Sequence, residues 1–267
     1  MVDRVGERLL YCGIGIVTET LCFGLTGYFF DFFLNDIILE ITEGISQLAV
    51  QRSCKQFLCH SNSCRVRLIH DFNACIVKKA QGRRQAYTQA KKYADNFQRM
   101  RPVKNDRNHV TPPEIERNGL FMAGGYGTGK THLAAAIANQ LISEGTACIC
   151  MTMIDLLDRI RETYKAAGSD VDEAYILSQY EEVPLLIIDD IGSEQPTEWG
   201  VSKIFAIINA RYEGYMPTII TTNYSGPELV QRMTPESGDS RNAEKTLDRL
   251  KETCVGIDMT WESWRSK

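Results

Sequence analysis

The sequence predicts a three-layer α/β fold, in which a five-stranded parallel sheet carries helices on both faces. Residues 119–267 alternate short apolar runs with amphipathic stretches, which is the pattern of parallel strands joined by crossover helices. One run, residues 185–189, is apolar up to its last residue, as expected of a parallel strand buried on both faces. The chain of 267 residues has room for one such domain and a smaller N-terminal region.

The elements of this domain can be located from the periodicity of their apolar residues. Strands are predicted at residues 119–122, 147–151, 185–189, 218–222 and 254–258. Helices are predicted between the strands, at residues 130–144, 154–167, 199–213 and 243–251. Strands and helices therefore alternate along the chain, as expected of a parallel sheet with crossover helices.

Three zones of different composition predict three parts of the chain. Residues 1–76 are apolar and Cys-rich and form an N-terminal region, residues 77–118 form a basic helical linker, and residues 119–267 form the α/β domain. The formal net charge is −4, but residues 78–107 hold ten Lys and Arg against two Asp. This window has a net charge of +8 and the rest of the chain −12, which indicates one surface for phosphates or an acidic partner.

The N-terminal region contains an apolar run at residues 9–30 with one charge, Glu19. The run is long enough to span a bilayer, but its threonines and glycines also suit a buried or partner-facing segment, which is the expected role. No cleavable signal peptide is evident. Among nine cysteines, Cys148 and Cys150 alternate within a predicted buried strand, which favours reduced thiols and a cytoplasmic location.

A phosphate-binding motif follows the first predicted strand. Residues 124–131 match G-x-x-x-x-G-K-[ST], with a strand before them and a helix after them. The glycines let several backbone N–H groups point at one anion, and the helix N-terminus adds a favourable dipole. Lys130 would reach the β- and γ-phosphates of ATP, and the Thr131 hydroxyl would bind Mg²⁺. The expected nucleotide-binding residues are Gly124, Gly125, Tyr126, Gly127, Thr128, Gly129, Lys130, Thr131 and His132.

The third predicted strand ends in two carboxylates, Asp189 and Asp190. A parallel strand delivers the residues at its end to the carboxyl edge of the sheet, where ligands bind in open α/β folds. Asp189 is the expected Mg²⁺ ligand, and Asp190 is expected to orient or activate the attacking water. Asn223 follows the fourth strand and is expected between these acids and the γ-phosphate, where it would help to place the water.

Several short segments, taken in their order and spacing, carry a family resemblance that covers residues 77–267. The segments are GKTHLAAAI at 129–137, DDIG at 189–192, IINARY at 207–212, PTIITTN at 217–223, LDRL at 247–250 and WESWR at 261–265. They resemble the AAA+ (ASCE) helicase loaders DnaC and DnaI, and also their relative IstB, which assists a transposase. The resemblance implies a P-loop ATPase. Most AAA+ proteins have Glu at the second acidic position, so the shorter Asp190 implies slow turnover.

The resemblance implies further roles for two arginines. Arg249 matches the arginine finger of the family, which would reach into the ATP site of a neighbouring subunit and stabilise charge on the γ-phosphate. Arg265 matches the sensor-2 arginine, which touches the nucleotide of its own subunit. Without the family, each would be interpreted as a surface arginine on a terminal helix or tail. Arg211 is expected to be structural or to lie at the subunit interface.

The resemblance also implies partners. Related loaders form an open spiral on the hexameric replicative helicase and on single-stranded DNA, so a homo-oligomer with shared ATP sites is expected. The DNA-facing candidates are the window 78–107 and a set of side chains on one helix, which combine charge with a ring for stacking: Arg159, Arg161, Tyr164 and Lys165. A solvated helix face is the alternative for either stretch.

The N-terminal region of these loaders binds the helicase and often carries a zinc ribbon with paired C-x₂-C elements. Cys12 resembles the start of such a ribbon, but the next cysteine is Cys22. The later candidate ligands are spaced widely and irregularly: Cys54, Cys59, His60, Cys64, His70 and Cys75. Scattered reduced cysteines, or a degenerate ribbon, are therefore expected rather than a structural zinc site.

Three functions fit these features. The expected one is ATP-dependent loading of the replicative helicase onto single-stranded DNA in bacterial, phage or prophage replication, with ATP binding and slow hydrolysis as a switch. Hydrolysis would be weak in single subunits and stimulated by assembly or DNA. The alternatives are an IstB-like ATPase that assists a transposase, and a membrane-tethered nucleotide-binding protein if residues 9–30 insert into a bilayer.

Overall fold

The computed structural model describes Phe72 and residues 81–104, 110–165 and 172–263. The apolar run at 9–30 and the candidate zinc ligands lie outside these residues, as does Arg265. In the part of the chain that is described, no helix is long and apolar enough to cross a membrane.

The described residues begin with a helix that packs against the α/β domain. This helix, α1 (Gln81–Asp95), buries Ala86, Ala90 and Tyr93 at the spacing of one helical face. The Tyr93 hydroxyl donates a hydrogen bond to the backbone carbonyl of Asn118 at 2.8 Å. Part of the basic window is thus a helix fixed on the domain.

A short irregular stretch joins α1 to the main sheet. It contains a 3-10 helix (Phe97–Met100), which buries Phe97 and Met100. An antiparallel ribbon follows, formed by β1 (Val103–Lys104) and β2 (Val110–Thr111). The chain then enters the sheet.

The five-stranded parallel sheet is present as predicted. Its strands are β3 (Gly119–Gly124), β4 (Cys148–Thr152), β5 (Leu185–Asp189), β6 (Thr218–Thr222) and β7 (Cys254–Met259). They lie in the order β4-β5-β6-β3-β7, and all four neighbouring pairs are parallel. The carboxyl end of β6 therefore lies between the carboxyl ends of β3 and β5, which are not neighbours in the sheet.

Helices connect these strands. They are α2 (Lys130–Ser143), α3 (Met153–Lys165), α4 (Glu173–Glu182), α5 (Glu198–Glu213), α6 (Gly226–Met233) and α7 (Arg241–Thr253). Leu186 and Ile188 of β5 belong to a core formed with α3 to α7. Leu185 and Ile187 alternate with them and are also fully buried, so they face the opposite side of the sheet. The sheet is thus covered on both faces, which confirms the three-layer α/β prediction.

Two helices go beyond the predicted elements, and both are stabilised at their N-termini. Asp172 caps α4 by accepting from the N–H of Ala174. Ser225 and Glu228 form a capping box at the start of α6. Each helix has ten residues or fewer, so its apolar periodicity is too short to stand out in the sequence.

Arg211 of α5 is completely buried, which supports a structural role for it. Its guanidinium donates to backbone carbonyls and to one hydroxyl, namely those of Tyr180, Glu181, Val183, Pro217 and Thr218. Burial lowers the pKa of Arg211 to about 9, so the group remains charged at pH 7. The side chain therefore joins the end of α4 to the beginnings of β5 and β6.

We expect Arg211→Ala to lower the free energy of unfolding by about 3 kcal/mol or more, because it leaves several buried carbonyls without a donor. Urea unfolding followed by circular dichroism would measure the change. Glu213→Ala, on an exposed side chain of the same helix, should change stability by less than about 0.5 kcal/mol. An Arg211→Ala protein as stable as the wild type would contradict this structural role.

Candidate nucleotide-binding site

The phosphate loop connects β3 to α2 with backbone angles that glycine tolerates best. Gly124, Gly127 and Gly129 have φ values of 154°, 71° and 102°. Gly124 also lies against β7, where a Cβ atom would stand 2.2 Å from the carbonyl oxygen of Met259. The glycines of the motif are thus needed for the turn and for the close approach of β7.

Lys130 lies at the centre of the loop and is only 7% exposed. Its ammonium donates to the carbonyls of Gly124 at 2.7 Å and Gly125 at 2.8 Å, and to the side-chain oxygen of Asn223 at 2.8 Å. All three acceptors are uncharged. An anion beside this ammonium would meet a cation that the loop already holds in place.

The two hydroxyls nearest to Asp189 come from α2 and β6. Thr131 donates to both carboxylate oxygens of Asp189, at 2.9 and 3.0 Å. Thr221 donates to one of them at 2.5 Å and accepts the backbone N–H of Asp190 at 2.9 Å. Carboxylate and hydroxyl oxygens are hard ligands that suit Mg²⁺, so Thr131 and Asp189 fit a magnesium ion bound next to phosphates.

Asn223 connects Asp190 to the phosphate loop. Its amide nitrogen donates to Asp190 at 2.6 Å, while its oxygen accepts from Lys130. Burial and the neighbouring Asp189 raise the pKa of Asp190, against the opposing effects of Lys130, Ser193 and Asn223. Asp190 also has a φ of 56°, a left-handed conformation that aspartate tolerates better than most residues. A carboxylate of raised pKa beside the loop is suited to accept a proton from water.

The remaining residues of the motif form the rim of the loop. Tyr126 is 70% exposed, and its side chain hydrogen-bonds to Tyr224, which raises the pKa of Tyr126. The guanidinium carbon of Arg232 lies 4.9 Å from the centre of the Tyr224 ring. His132 is half-buried on the first turn of α2. The tip of the loop thus contacts the segment that follows Asn223.

Arg249 lies far from this site within one chain. It stands near the end of α7, which leads into β7 opposite the first residue of β3. Lys130 lies beyond the other end of β3, after the phosphate loop, and the two ends of a strand of this length are roughly 17 Å apart. The Arg249 guanidinium carbon lies 4.3 Å from the centre of the Tyr212 ring, and its Nε donates to Asn209 at 3.4 Å. Arg249 is therefore separated from the loop of its own chain by the length of the sheet.

Two of the DNA-facing candidates on α3, Arg161 and Tyr164, contact Trp199 of α5. The Arg161 guanidinium carbon lies 4.8 Å from the centre of the Trp199 ring, and the Tyr164 ring meets the same ring edge-on at 6.2 Å. Arg159 is half-buried and Tyr164 is exposed, whereas the side chain of Lys165 lies outside the described residues. This face combines cations with aromatic rings.

Part of the basic window is occupied by bonds inside the chain. The internal bonds join Arg83 to the Glu262 carbonyl, Lys91 to Asp95, and Arg99 to Glu114. Arg84 and Lys92 are exposed. Among the described residues of the window, part of the positive charge is thus offset by groups of the same chain.

Thr221 and Trp261 contact the site and were not among the predicted site residues. Threonine suits any strand, and three of the five residues of β6 are threonines, so the sequence did not single out Thr221. Trp261 donates its indole N–H to the carbonyl of Thr128 at 3.0 Å. Nothing in the spacing of the sequence indicated that this tail residue returns to the phosphate loop.

We expect Asp190→Asn to raise the melting temperature at pH 7. Folding raises the pKa of Asp190. The contribution of this carboxyl to the free energy of unfolding is therefore largest below the ordinary aspartate pKa of about 3.9, and it is lost as the pH rises through the raised pKa. The uncharged amide avoids that loss and tolerates the same φ.

Thermal melting between pH 3 and pH 7 would measure this difference, which should shrink as the pH falls. Glu236→Gln, on an exposed carboxyl, is the control and should show little change at either pH. The explanation is wrong if Asp190→Asn melts lower than the wild type at pH 7.

Comparisons with known proteins agree with this geometry. The model of the family described as IstB-like ATP binding protein matches residues 114–267. The replicative helicase loader DnaC of Escherichia coli K12 is 27% identical over 169 residues, which cover 63% of this chain and 64% of DnaC. A crystal structure of the DnaC helicase loader gives a TM-score of 0.54 at 22% identity, over 73% of this chain and 98% of that one. A crystal structure of DnaI gives 0.50 at 23% identity, over 68% and 86%.

These findings confirm the resemblance to the DnaC and DnaI type of AAA+ fold. The match to DnaC spans less than two thirds of that protein's length. The family model covers more than half of this chain, and the phosphate loop, the acidic strand end and Asn223 all fall within the matched segment. The chain therefore belongs to the family of IstB-like ATP binding proteins.

Proposed function

We propose that this protein is an ATP-dependent loader of the replicative helicase onto single-stranded DNA, in which ATP binding and slow hydrolysis act as a switch. The observation that carries the proposal is the double hydrogen bond of Asn223, which joins Lys130 of the phosphate loop to Asp190. A change in the contacts of Lys130 with the phosphates would therefore alter the hydrogen bond between Asn223 and Asp190. The similarity to the replicative helicase loader DnaC favours a replicative helicase as the partner.

In this proposal the loop from Gly124 to Thr131 holds the triphosphate, together with His132 on the first turn of α2. Lys130 neutralises charge on the β- and γ-phosphates, and Thr131 and Asp189 hold Mg²⁺. The metal, when bound, offsets further phosphate charge as a Lewis acid. Thr221 keeps the Asp189 carboxylate directed toward Thr131 through its hydrogen bond.

Hydrolysis would use Asp190 and Asn223. Asp190 accepts a proton from the attacking water as the oxygen forms its bond to the γ-phosphorus, and the bond to the β-phosphate oxygen breaks. Asn223 orients the carboxylate for this step. Aspartate reaches one methylene less far than glutamate, so we expect turnover to be slow.

A second copy of the chain would complete the site. Arg249 lies at the edge of the sheet opposite the phosphate loop, so a role for it at the γ-phosphate requires the loop of a neighbour. We propose that copies assemble on the helicase with Arg249 of one directed at the ATP of the next. Arg265 would contact the nucleotide of its own chain.

Single-stranded DNA would bind the face formed by α3 and the exposed part of the basic window. Tyr164 offers an exposed ring for stacking, and Arg159 and Arg161 lie on the same helix. We also propose that residues 1–76 bind the helicase and that residues 77–118 link them to the ATPase domain at 119–267. A cytoplasmic location follows from a partnership with the replication machinery.

The family match favours one alternative. An IstB-like ATPase would use the same site to assist a transposase, and the matched model bears that family's description. The two proposals differ in the partner and not in the chemistry. A stable complex with a replicative helicase therefore separates them.

We expect Arg249→Ala to bind ATP normally and to lose about 10³-fold or more of the hydrolysis rate stimulated by helicase and DNA, because the arginine acts in trans. Phosphate release at saturating helicase and single-stranded DNA would measure this rate. Arg241→Ala, an exposed arginine at the start of the same helix, is the matched control. Mixing Arg249→Ala with Lys130→Ala should restore part of the rate, because intact sites then form between unlike subunits. A mixture as inactive as its parts would reject action in trans.

We expect the full chain to elute together with its replicative helicase in size-exclusion chromatography when ATP and Mg²⁺ are present. Lys130→Ala is the control, because it should fail to bind nucleotide. The elution of this variant with the helicase should therefore be the same with and without ATP. Absence of any complex, with ATP binding intact, would favour the transposase partner.

A further inference from the structure

The segment after β7 returns to the phosphate loop and bonds to its outer side. The indole N–H of Trp261 donates to the backbone carbonyl of Thr128 at 3.0 Å. Thr128 is itself buried, and its hydroxyl donates to the carbonyl of Gly125 at 2.9 Å. The peptide between Thr128 and Gly129 is therefore held by a side chain from outside the loop.

The geometry of a peptide gives this contact a chemical effect. In a trans peptide the C=O of one residue and the N–H of the next point in opposite directions within one plane. A bond that fixes the Thr128 carbonyl toward Trp261 thus directs the Gly129 N–H away from Trp261. Gly129 has a φ of 102° and caps α2, so its N–H is one of the donors that a helix start leaves for an anion. Without such a bond, a glycine peptide would rotate more freely.

Helix α1 supports the tail in this position. Gly82 lies next to the Trp261 ring, because a Cβ atom built on it would be in ordinary van der Waals contact with the ring at 3.5 Å. Arg83 donates to the backbone carbonyl of Glu262 at 3.1 Å. The indole is thus enclosed between α1 on one side and the phosphate loop on the other.

We propose that Trp261 is a positioning residue of the nucleotide site, which orients the peptide between Thr128 and Gly129 so that the Gly129 N–H faces the phosphates, and that α1 keeps the indole in place. The inference rests on the proposed nucleotide binding at this loop. It adds that the affinity for phosphates depends on a hydrogen bond made outside the motif. It also connects the start of α1 to the phosphate loop.

The test compares Trp261→Phe with the wild type in the full chain. Phenylalanine keeps an aromatic ring at this position and removes the N–H donor together with one of the two fused rings of the indole. The probes are fluorescent ADP and AMPPCP, titrated with Mg²⁺ present, and the melting temperature of each protein without nucleotide is measured alongside. We expect Trp261→Phe to bind both probes about three- to tenfold more weakly, as for the loss of one hydrogen bond. The melting temperature without nucleotide should stay close to that of the wild type.

Arg83→Ala provides a second, independent variant. It removes the bond to the tail without touching the loop, so it should weaken binding in the same direction but by a smaller factor. Arg117→Ala, on an exposed arginine, is its matched control and should bind as the wild type does. If Trp261→Phe fails to fold, Arg83→Ala against Arg117→Ala decides the question.

The outcomes separate this inference from the proposed function. A wild type that binds neither probe, or a Lys130→Ala protein that binds them as tightly, overturns the nucleotide site itself. A wild type that binds, with equal affinity in Trp261→Phe, overturns the positioning role and leaves the site intact. A lower melting temperature with unchanged affinity shows a packing role only and also overturns the proposal.

Discussion

Both polar ends of the Asn223 amide are engaged, one by Lys130 and the other by Asp190. One side chain can make both bonds only because β6 lies between β3 and β5 in the sheet. The loop that follows β3 and the acids that end β5 then flank the residue that follows β6. The strand order is thus the constraint on which the geometry of the site depends, and the bonds of Thr221 to Asp189 and to the Asp190 N–H have the same origin.

The site is assembled at the expense of local stability. Two carboxylates lie side by side, and one of them has a left-handed backbone and a raised pKa. Such strain persists only where the surroundings hold it. Here the apolar residues of β5 are buried on both faces, and Arg211 ties the beginnings of β5 and β6 together at the other edge of the sheet.

The parts of this structure that could be predicted from the sequence are those fixed by local chemistry. The turn at Gly124 to Gly129, the acids after an apolar strand and the position of each strand follow from residue types at short spacing. The long helices could be located in the same way, from the period of their apolar residues. The bond from Trp261 to the loop could not, because the two residues are 133 positions apart and only the folded sheet brings them together.

The two short helices and the partners of Arg211 show the same limit from another side. A structural or interface role was expected for Arg211, but only the folded chain shows which carbonyls surround its guanidinium. Helices α4 and α6 depend on their capping residues more than on a long apolar pattern. In each case the deciding interaction is tertiary or involves the backbone.

All strands of the sheet run in one direction, with the phosphate loop at one edge and Arg249 toward the other. In the proposed assembly the loop of one copy meets Arg249 of the next, so each interface joins two different surfaces and the copies stack head to tail. If the rotation closes, every nucleotide is shared between two chains. If the assembly stays open, the nucleotide site of one terminal copy lacks the Arg249 of a neighbour. At the other end, one Arg249 has no neighbouring nucleotide to contact. The two ends of the assembly therefore differ in chemistry as well as in shape.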